Sequence, residues 1–168
     1  MRDASTAPDP ALLERLRRGI PLRLDRLGDF HLDGEPVTHP RVIDVLRAGL
    51  DVSEAGEPQL HFGDQWCYLT IDDAFFRVRT VALDPAGPTV ILRLDDGRDL
   101  PLDPATLWEE PGLGLRATVP ARRSGRPLPV RFTNRAQVEL AEWIDLDHTP
   151  PLLHVGERAW PIEDHPPG

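Results

Sequence analysis

Turn chemistry recurs so often along this chain that no long strand survives between the turns. Asp33-Gly34, Gly63-Asp64, Asp84-Pro85-Ala86-Gly87-Pro88, Asp95-Asp96-Gly97 and Gly156-Glu157 each separate two short stretches rich in aliphatic or aromatic residues. Asp-Gly pairs favour tight hairpins, and Pro donates no ladder hydrogen bond, so this spacing predicts short hairpins in a meander. Extended arms are expected on both sides of Asp33-Gly34 within Phe30 to Val37, and at Leu60-His61-Phe62. Others are expected at Val90 to Leu94 with Arg98 to Leu102, and at Leu152 to Val155 with Arg158 to Ile162. Trp66 to Ile71 alternates as a strand buried on both faces, and Phe76, Val78 and Thr80 alternate with Arg77 and Arg79 as a strand wet on one face. Residues 109–129 are expected to be mostly loop, with two short extended pieces at most, near 115–119 and 128–132.

Three helices interrupt the meander. Asp9 and Pro10 open the first, Leu12, Leu13, Leu16 and Ile20 give its apolar stripe, and Gly19 stops it. Thr38 is expected to cap the second, with Pro40 in the first turn, Val42, Ile43, Leu46 and Leu50 on one face, and Gly49 with Asp51 closing it. Asn134 and Gln137 resemble a capping box before the stripe Ala136, Leu140, Trp143 and Ile144. Trp66, Leu69, Ile71, Phe76, Val78, Leu46, Leu140 and Ile144 form the expected core.

A chain of 168 residues can bury roughly 68–70% of its unfolded surface and needs no metal or disulfide to do so. The single cysteine, Cys67, excludes both an intrachain disulfide and a cysteine zinc cluster. No stretch nears the roughly 18 consecutive apolar residues of a membrane span, and the polar residues 1–10 lack a signal-peptide core, so a cytoplasmic location is expected. All 19 basic residues are Arg, yet 28 acidic residues give a net charge of −9, which repels phosphate backbones and argues against a nucleic-acid partner. Arg15, Arg17, Arg18, Arg23 and Arg26, diluted by Glu14 and Asp25, read as a solvated face. Arg122, Arg123 and Arg126 around Ser124-Gly125 read as a flexible loop, with an anion site as the alternative.

The strings that could carry chemistry lack their structural context. Gly112-Leu113-Gly114-Leu115-Arg116-Ala117 fits a dinucleotide fingerprint, but Glu109-Glu110-Pro111 before it and Pro120 after it leave no helix to receive a pyrophosphate. Ser5, Ser53 and Ser124 lack a nucleophile elbow, and Cys67 sits in an apolar strand where a thiol is inert. Asp72 and Asp73 are adjacent and so point to opposite faces of a strand; turn capping is favoured over a catalytic pair. His31 and His39 bracket the first hairpin and could meet Asp33, giving general-base or ligand-binding potential. No histidine spacing makes a helical metal pair, and neither metal nor cofactor is expected.

Three stretches carry a family resemblance. Phe30-His31-Leu32-Asp33-Gly34-Glu35-Pro36-Val37, followed by the helix over residues 41–50, is similar to an aromatic, polar, Gly-x-Pro-aliphatic hairpin. Ile71-Asp72-Asp73-Ala74-Phe75-Phe76 is similar to an aliphatic-Glu-Asp-Ala-Pro-Phe strand, with Phe75 in place of Pro. Residues 135–142 with the hairpin ending in Trp160-Pro161-Ile162 are similar to a closing helix and hairpin. In this order the chain resembles an uncharacterised bacterial family, domain of unknown function family 1285 (DUF1285), over most of residues 22–163. The resemblance implies an α+β protein of two small lobes with no assigned activity.

The expected architecture is therefore α+β, mostly antiparallel hairpins with about three helices in two small lobes. Residues 1–21 form an N-terminal tail and helix, 22–83 an α+β lobe, 84–163 a β-rich lobe with one helix, and 164–168 a frayed tail. The expected function is a non-enzymatic small-ligand or protein-binding, regulatory module. The alternative is a small-molecule, hydrolase-like enzyme with its site near His31, His39 and Asp73. Weak candidate ligand residues are His31, Asp33, His39, Asp72 and Asp73. A protein or small-molecule partner is expected, no nucleic acid or membrane, and monomer and homodimer stand as equal alternatives, with Trp66 and Trp160 available for docking.

Overall fold

The computed structural model describes residues 9–168, and the opening segment with Ser5 lies outside them. The described residues carry three α-helices and sixteen short strands in four sheets, an α+β fold. They divide between Asp72 and Asp73 into two compact units. The division expected at residues 84–88 falls instead in a hairpin turn, because the strand before it pairs directly with the strand after it.

The first unit contains α1 (Pro10–Arg18), β1 (Leu22–Leu24), β2 (Phe30–Leu32), β3 (Glu35–Pro36), α2 (Pro40–Ala48), β4 (Leu50–Val52), β5 (Pro58–Phe62), β6 (Gln65–Tyr68) and β7 (Thr70–Ile71). Its sheets run β3-β2-β1-β7 and β4-β5-β6. Leu22, Leu24, Phe30, Leu46, Leu50, Leu60, Cys67 and Leu69 are buried. The alternating run from Trp66 to Ile71 is two strands in two sheets rather than one, and Trp66 and Tyr68 stay half-exposed because a helix, not a second sheet, faces them.

Two helix expectations change here. Asp9 does cap α1, accepting from the N–H of Ala11 at 3.0 Å, but α1 buries no residue, and Leu12, Leu16 and Ile20 are exposed. His39, not Thr38, stands at the cap of α2 and makes no side-chain cap bond. Gly49 closes α2 where a Cβ would run into the carbonyl oxygen of His61, whose N–H bonds Gly49 O at 2.8 Å. Gly49→Ala is therefore expected to cost about 1–3 kcal/mol by forcing β5 away, read as a lowered urea midpoint. An unchanged midpoint would show that the strand moves aside freely.

The second unit contains β8 (Phe76–Leu83), β9 (Val90–Leu94), β10 (Asp99–Pro101), a 3-10 turn (Pro104–Thr106), β11 (Trp108–Glu110), β12 (Gly114–Pro120), β13 (Pro127–Phe132), α3 (Asn134–Ala141), β14 (Ile144–Asp145), β15 (Leu152–Val155) and β16 (Arg158–Pro161). A six-stranded sheet runs β10-β9-β8-β13-β12-β11, antiparallel except for the parallel seam β8–β13, and β14-β15-β16 form a second sheet. Pro101 lies on the edge strand, where a missing N–H is harmless. Residues 109–129 are thus more ordered than expected, since β11, β12 and β13 pair in succession.

A bulge between Val78 and Thr80 returns Val78 and Val81 to one face, opposite Leu94 and Leu92. That face continues through Val130, Leu128, Ala117 and Val119, and α3 packs against β8 and β13 with Ala136 and Leu140 fully buried. Thr133, rather than Asn134, caps α3, accepting from the N–H of Ala136 at 3.2 Å. Ile144 falls beyond the helix, half-exposed in β14. Arg77 also departs from expectation: it is buried on the opposite face and donates to Ala74 O at 3.0 Å.

Candidate functional site

The strand pairing of the first sheet assembles a polar row. Arg23 on β1 stands opposite His31 on β2 and beside Thr70 on the parallel strand β7. Because strand side chains alternate, burying Leu22, Leu24 and Phe30 leaves Arg23 and His31 on the other face. With Arg18, Gly19, Ile20, Pro21, Leu22 and Gly34 this row lines a cleft of about 500 Å³.

Two carboxylates hold the row in place. Oδ1 of Asp25 accepts the N–H groups of Leu27 at 2.9 Å, Gly28 at 3.0 Å and Asp29 at 2.9 Å, closing the turn between β1 and β2. Its Oδ2 lies 2.8 Å from Nε2 of His31. Burial pushes the Asp25 carboxyl up, but the Asp29 N–H, the His31 ring and the Leu27 and Gly28 N–H groups outweigh it and hold the group below its usual range. An ionised carboxylate only accepts, so it places the imidazole proton on Nε2 and leaves Nδ1 as the bare ring nitrogen. Asp72 grips Arg23 with Nε to Oδ1 and Oδ2 at 2.9 Å each and Nη2 to Oδ2 at 2.5 Å. The hydrogen bond from Arg23 lowers the Asp72 pKa, and the same bond raises that of Arg23. Arg18 at the rim is tied to Glu14 at 2.8 Å and Glu57 at 2.9 Å.

The site residues expected from sequence are distributed unevenly around this cleft. His31 lines it and Asp72 orients Arg23, whereas His39 is exposed at the start of α2 and does not line it. Asp33 is exposed in the hairpin turn at φ 51°, the left-handed region Asp tolerates there. Asp73 belongs to the second unit, where its Oδ1 meets Nη1 of Arg116 at 2.7 Å and its Oδ2 meets Nη1 of Arg131 at 3.1 Å. Each of the adjacent aspartates thus serves an ion pair rather than capping the bend between them. Arg122, Arg123 and Arg126 lie in the turn joining β12 and β13, with Arg122 donating to Asp96 Oδ2 at 3.3 Å and to its carbonyl at 3.0 Å. Cys67 is buried, and burial pushes its thiol up.

Asp25 and Thr70 were not among the expected site residues. Asp25 was legible as a local turn former ahead of Gly28-Asp29, and the Arg23–His31 pairing follows from the register of the hairpin closed by that turn. Thr70 reaches the row through a parallel pairing far along the chain, which leaves no local signal. Among the described residues no three His, Cys, Asp or Glu side chains are placed to hold a metal ion, and no helix is long and apolar enough to cross a membrane.

No protein-family model and no curated protein matches the sequence. Two solved structures match in three dimensions. A DUF1285 family protein from Silicibacter pomeroyi DSS-3 superposes with a TM-score of 0.67 at 17% identity, over 95% of this chain and 89% of that one. A DUF1285 family protein from Shewanella baltica OS155 does so with a TM-score of 0.57 at 13% identity, over 76% of this chain and 95% of that one. The chain thus has the fold of the DUF1285 family proteins.

Proposed function

We propose that the protein is a non-enzymatic binding module that takes a small oxyanion, a carboxylate or a phosphate, in the cleft over β1 and β2. The observation that carries this reading is the pairing of an Asp72-oriented Arg23 with an Asp25-oriented His31 on directly opposed strand positions. The Arg23 bonds to Asp72 use Nε and Nη2, leaving the Nη1 donors for a ligand oxygen.

The charges decide how such a ligand binds. Arg23 and Asp72 cancel, and Asp25 is ionised, so with His31 neutral the four groups sum to −1. Protonating His31 brings the sum to zero and turns Nδ1 into a second donor. An oxyanion therefore binds best when the ring carries its second proton, so binding is coupled to proton uptake at His31. Arg18 at the rim and its partner Glu57 stay charged at neutral pH, because their hydrogen bond raises the pKa of Arg18 and lowers that of Glu57.

Sulfate is a suitable probe because it does not titrate between pH 8 and 6. Its affinity, measured by calorimetry in buffers of different ionisation enthalpy, is expected to rise by up to about tenfold per pH unit, the limit for one proton taken up. His31→Gln should abolish that pH dependence, and Arg23→Ala should weaken binding at every pH. Binding that is absent, or indifferent to His31→Gln, would refute the reading. The Asp25–His31 pair also has the form of a general base with its orienting carboxylate, which favours a hydrolase-like enzyme as the second reading. Turnover of esters or phosphomonoesters that disappears in His31→Gln would establish the second reading in place of the first.

A further inference from the structure

The outer face of the β5–β6 hairpin is an aromatic ladder filled by arginines of the same chain. His61 and Trp66 are cross-strand partners with ring centroids 6.2 Å apart and nearly stacked, and Trp66 meets Tyr68 edge-on at 5.1 Å. Leu60 and Cys67, on the opposite face, are buried. The Arg17 guanidinium carbon lies 4.1 Å from the Trp66 ring centroid, and that of Arg18 lies 4.0 Å from the Tyr68 centroid. Arg18 is also gripped two-handed by Glu57, Nη1 to Oε1 at 2.9 Å and Nη2 to Oε2 at 3.3 Å. Its hydrogen bond lowers the Glu57 pKa, so the carboxylate stays charged at neutral pH.

An amphipathic helix ordinarily docks through its apolar stripe, but α1 leaves all of that stripe except the half-buried Leu13 exposed. Leu12, Leu16 and Ile20 are 43%, 60% and 43% exposed, and no residue of the helix is buried. Arg17 and Arg18 lie over the rings instead, with Glu14 hydrogen-bonded to Tyr68. An aromatic face plus a carboxylate fork is the arrangement that recognises a planar guanidinium, and a lysine ammonium has neither the plane nor the fork. The chain as a whole is strongly acidic, at −9, which favours a basic partner.

We propose that this face, formed by Trp66, Tyr68 and Glu57 with His61 beside them, is a recognition site for a peptide carrying two adjacent arginines, which α1 occupies in cis through Arg17 and Arg18. The short connection from Arg18 to β1 keeps the helix at an effective concentration in the millimolar range, so a free peptide competes with it only weakly. Trp66, Tyr68 and His61 lie on the β4-β5-β6 sheet and Arg23 and His31 on another, so this site stands whether or not the cleft binds its oxyanion; Arg18 alone belongs to both, at the rim of the cleft.

The full chain with R17A/R18A, which vacates the ladder, tests this. Titration with acetyl-Arg-Arg-amide, followed by the Trp66 indole signal in NMR, is expected to saturate at a concentration at least tenfold lower than for the unsubstituted protein. Adding Glu57→Gln should remove that gain, and acetyl-Lys-Lys-amide should bind at least tenfold more weakly. No binding to R17A/R18A, equal affinity in both proteins, or indifference to Glu57→Gln would overturn the proposal. So would an R17A/R18A protein that loses its dispersed spectrum, since α1 would then be part of the fold rather than a removable occupant.

Discussion

Asp73→Ala is expected to destabilise the second unit by about 3–5 kcal/mol, the cost of leaving a buried charge without its partner. Arg77, Arg131 and Arg116 stand side by side on β8, β13 and β12, a row of like charges that opposed strand positions ordinarily avoid. The Arg116 side chain is only 3% exposed and its Nη2 has no hydrogen-bond partner. Glu110 approaches its Nε to 2.5 Å without hydrogen-bond geometry and is 44% exposed, so Asp73 is the carboxylate that holds the buried guanidinium. In a domain of this size such a loss lowers Tm by roughly 6–20 °C. A thermal melt within 2 °C of the parent would refute the assignment. Asp72→Ala makes the internal control: its partner Arg23 is 59% exposed, and solvent screens the loss, so a much smaller shift is expected. Replacing Asp73 and Arg116 together by apolar residues should recover much of the deficit, because neither charge is then stranded.

Leu140→Ala carries the next largest effect, about 2–5 kcal/mol, through lost burial and the cavity left behind. Leu140 is fully buried on α3 where that helix lies over β8 and β13, while Val138 two residues earlier is 72% exposed. Val138→Ala should therefore leave the urea midpoint nearly unchanged. Equal effects at the two positions would mean that the helix is rotated relative to the arrangement described here.

Local chemistry was the legible part of the sequence. The turns at Asp33-Gly34, Gly63-Asp64, Asp95-Asp96-Gly97 and Gly156-Glu157 each join paired strands, because a turn's preference is written in its own residues. The glycine stops of α1 and α2 were legible for the same reason. What failed was anything decided by a distant partner. A 3.6-residue period says where the apolar stripe of α1 lies but not that arginines meeting an aromatic ladder outcompete it. Alternation from Trp66 to Ile71 cannot reveal that the chain changes sheets after Tyr68. Arg77 has the composition of a wet face, and only the arrangement of its neighbours buries it.

The candidate site divides along the same line. His31 and Asp72 were named from sequence, since histidine and paired aspartates draw attention wherever they occur. Their partners Asp25 and Arg23 were read as one diluting the other in a charged stretch, when each is positioned by a hydrogen bond fixed by strand register. His39 and Asp33 share the hairpin's neighbourhood in sequence but not its polar face.

The parallel seam at the centre of the six-stranded sheet has a consequence for how the chain is made. β8-β9-β10 and β11-β12-β13 are each sequential meanders that can form from nearby residues, but Val130 must find Phe76 before the two halves join. Until Phe132 has emerged during synthesis, β8 presents an open main-chain edge with apolar residues beside it, the state most prone to pair with another chain. A ribosome pause just before that point would prolong the hazard, and chaperone dependence in the cell should therefore track translation speed across β13 more closely than the equilibrium stability of the finished protein.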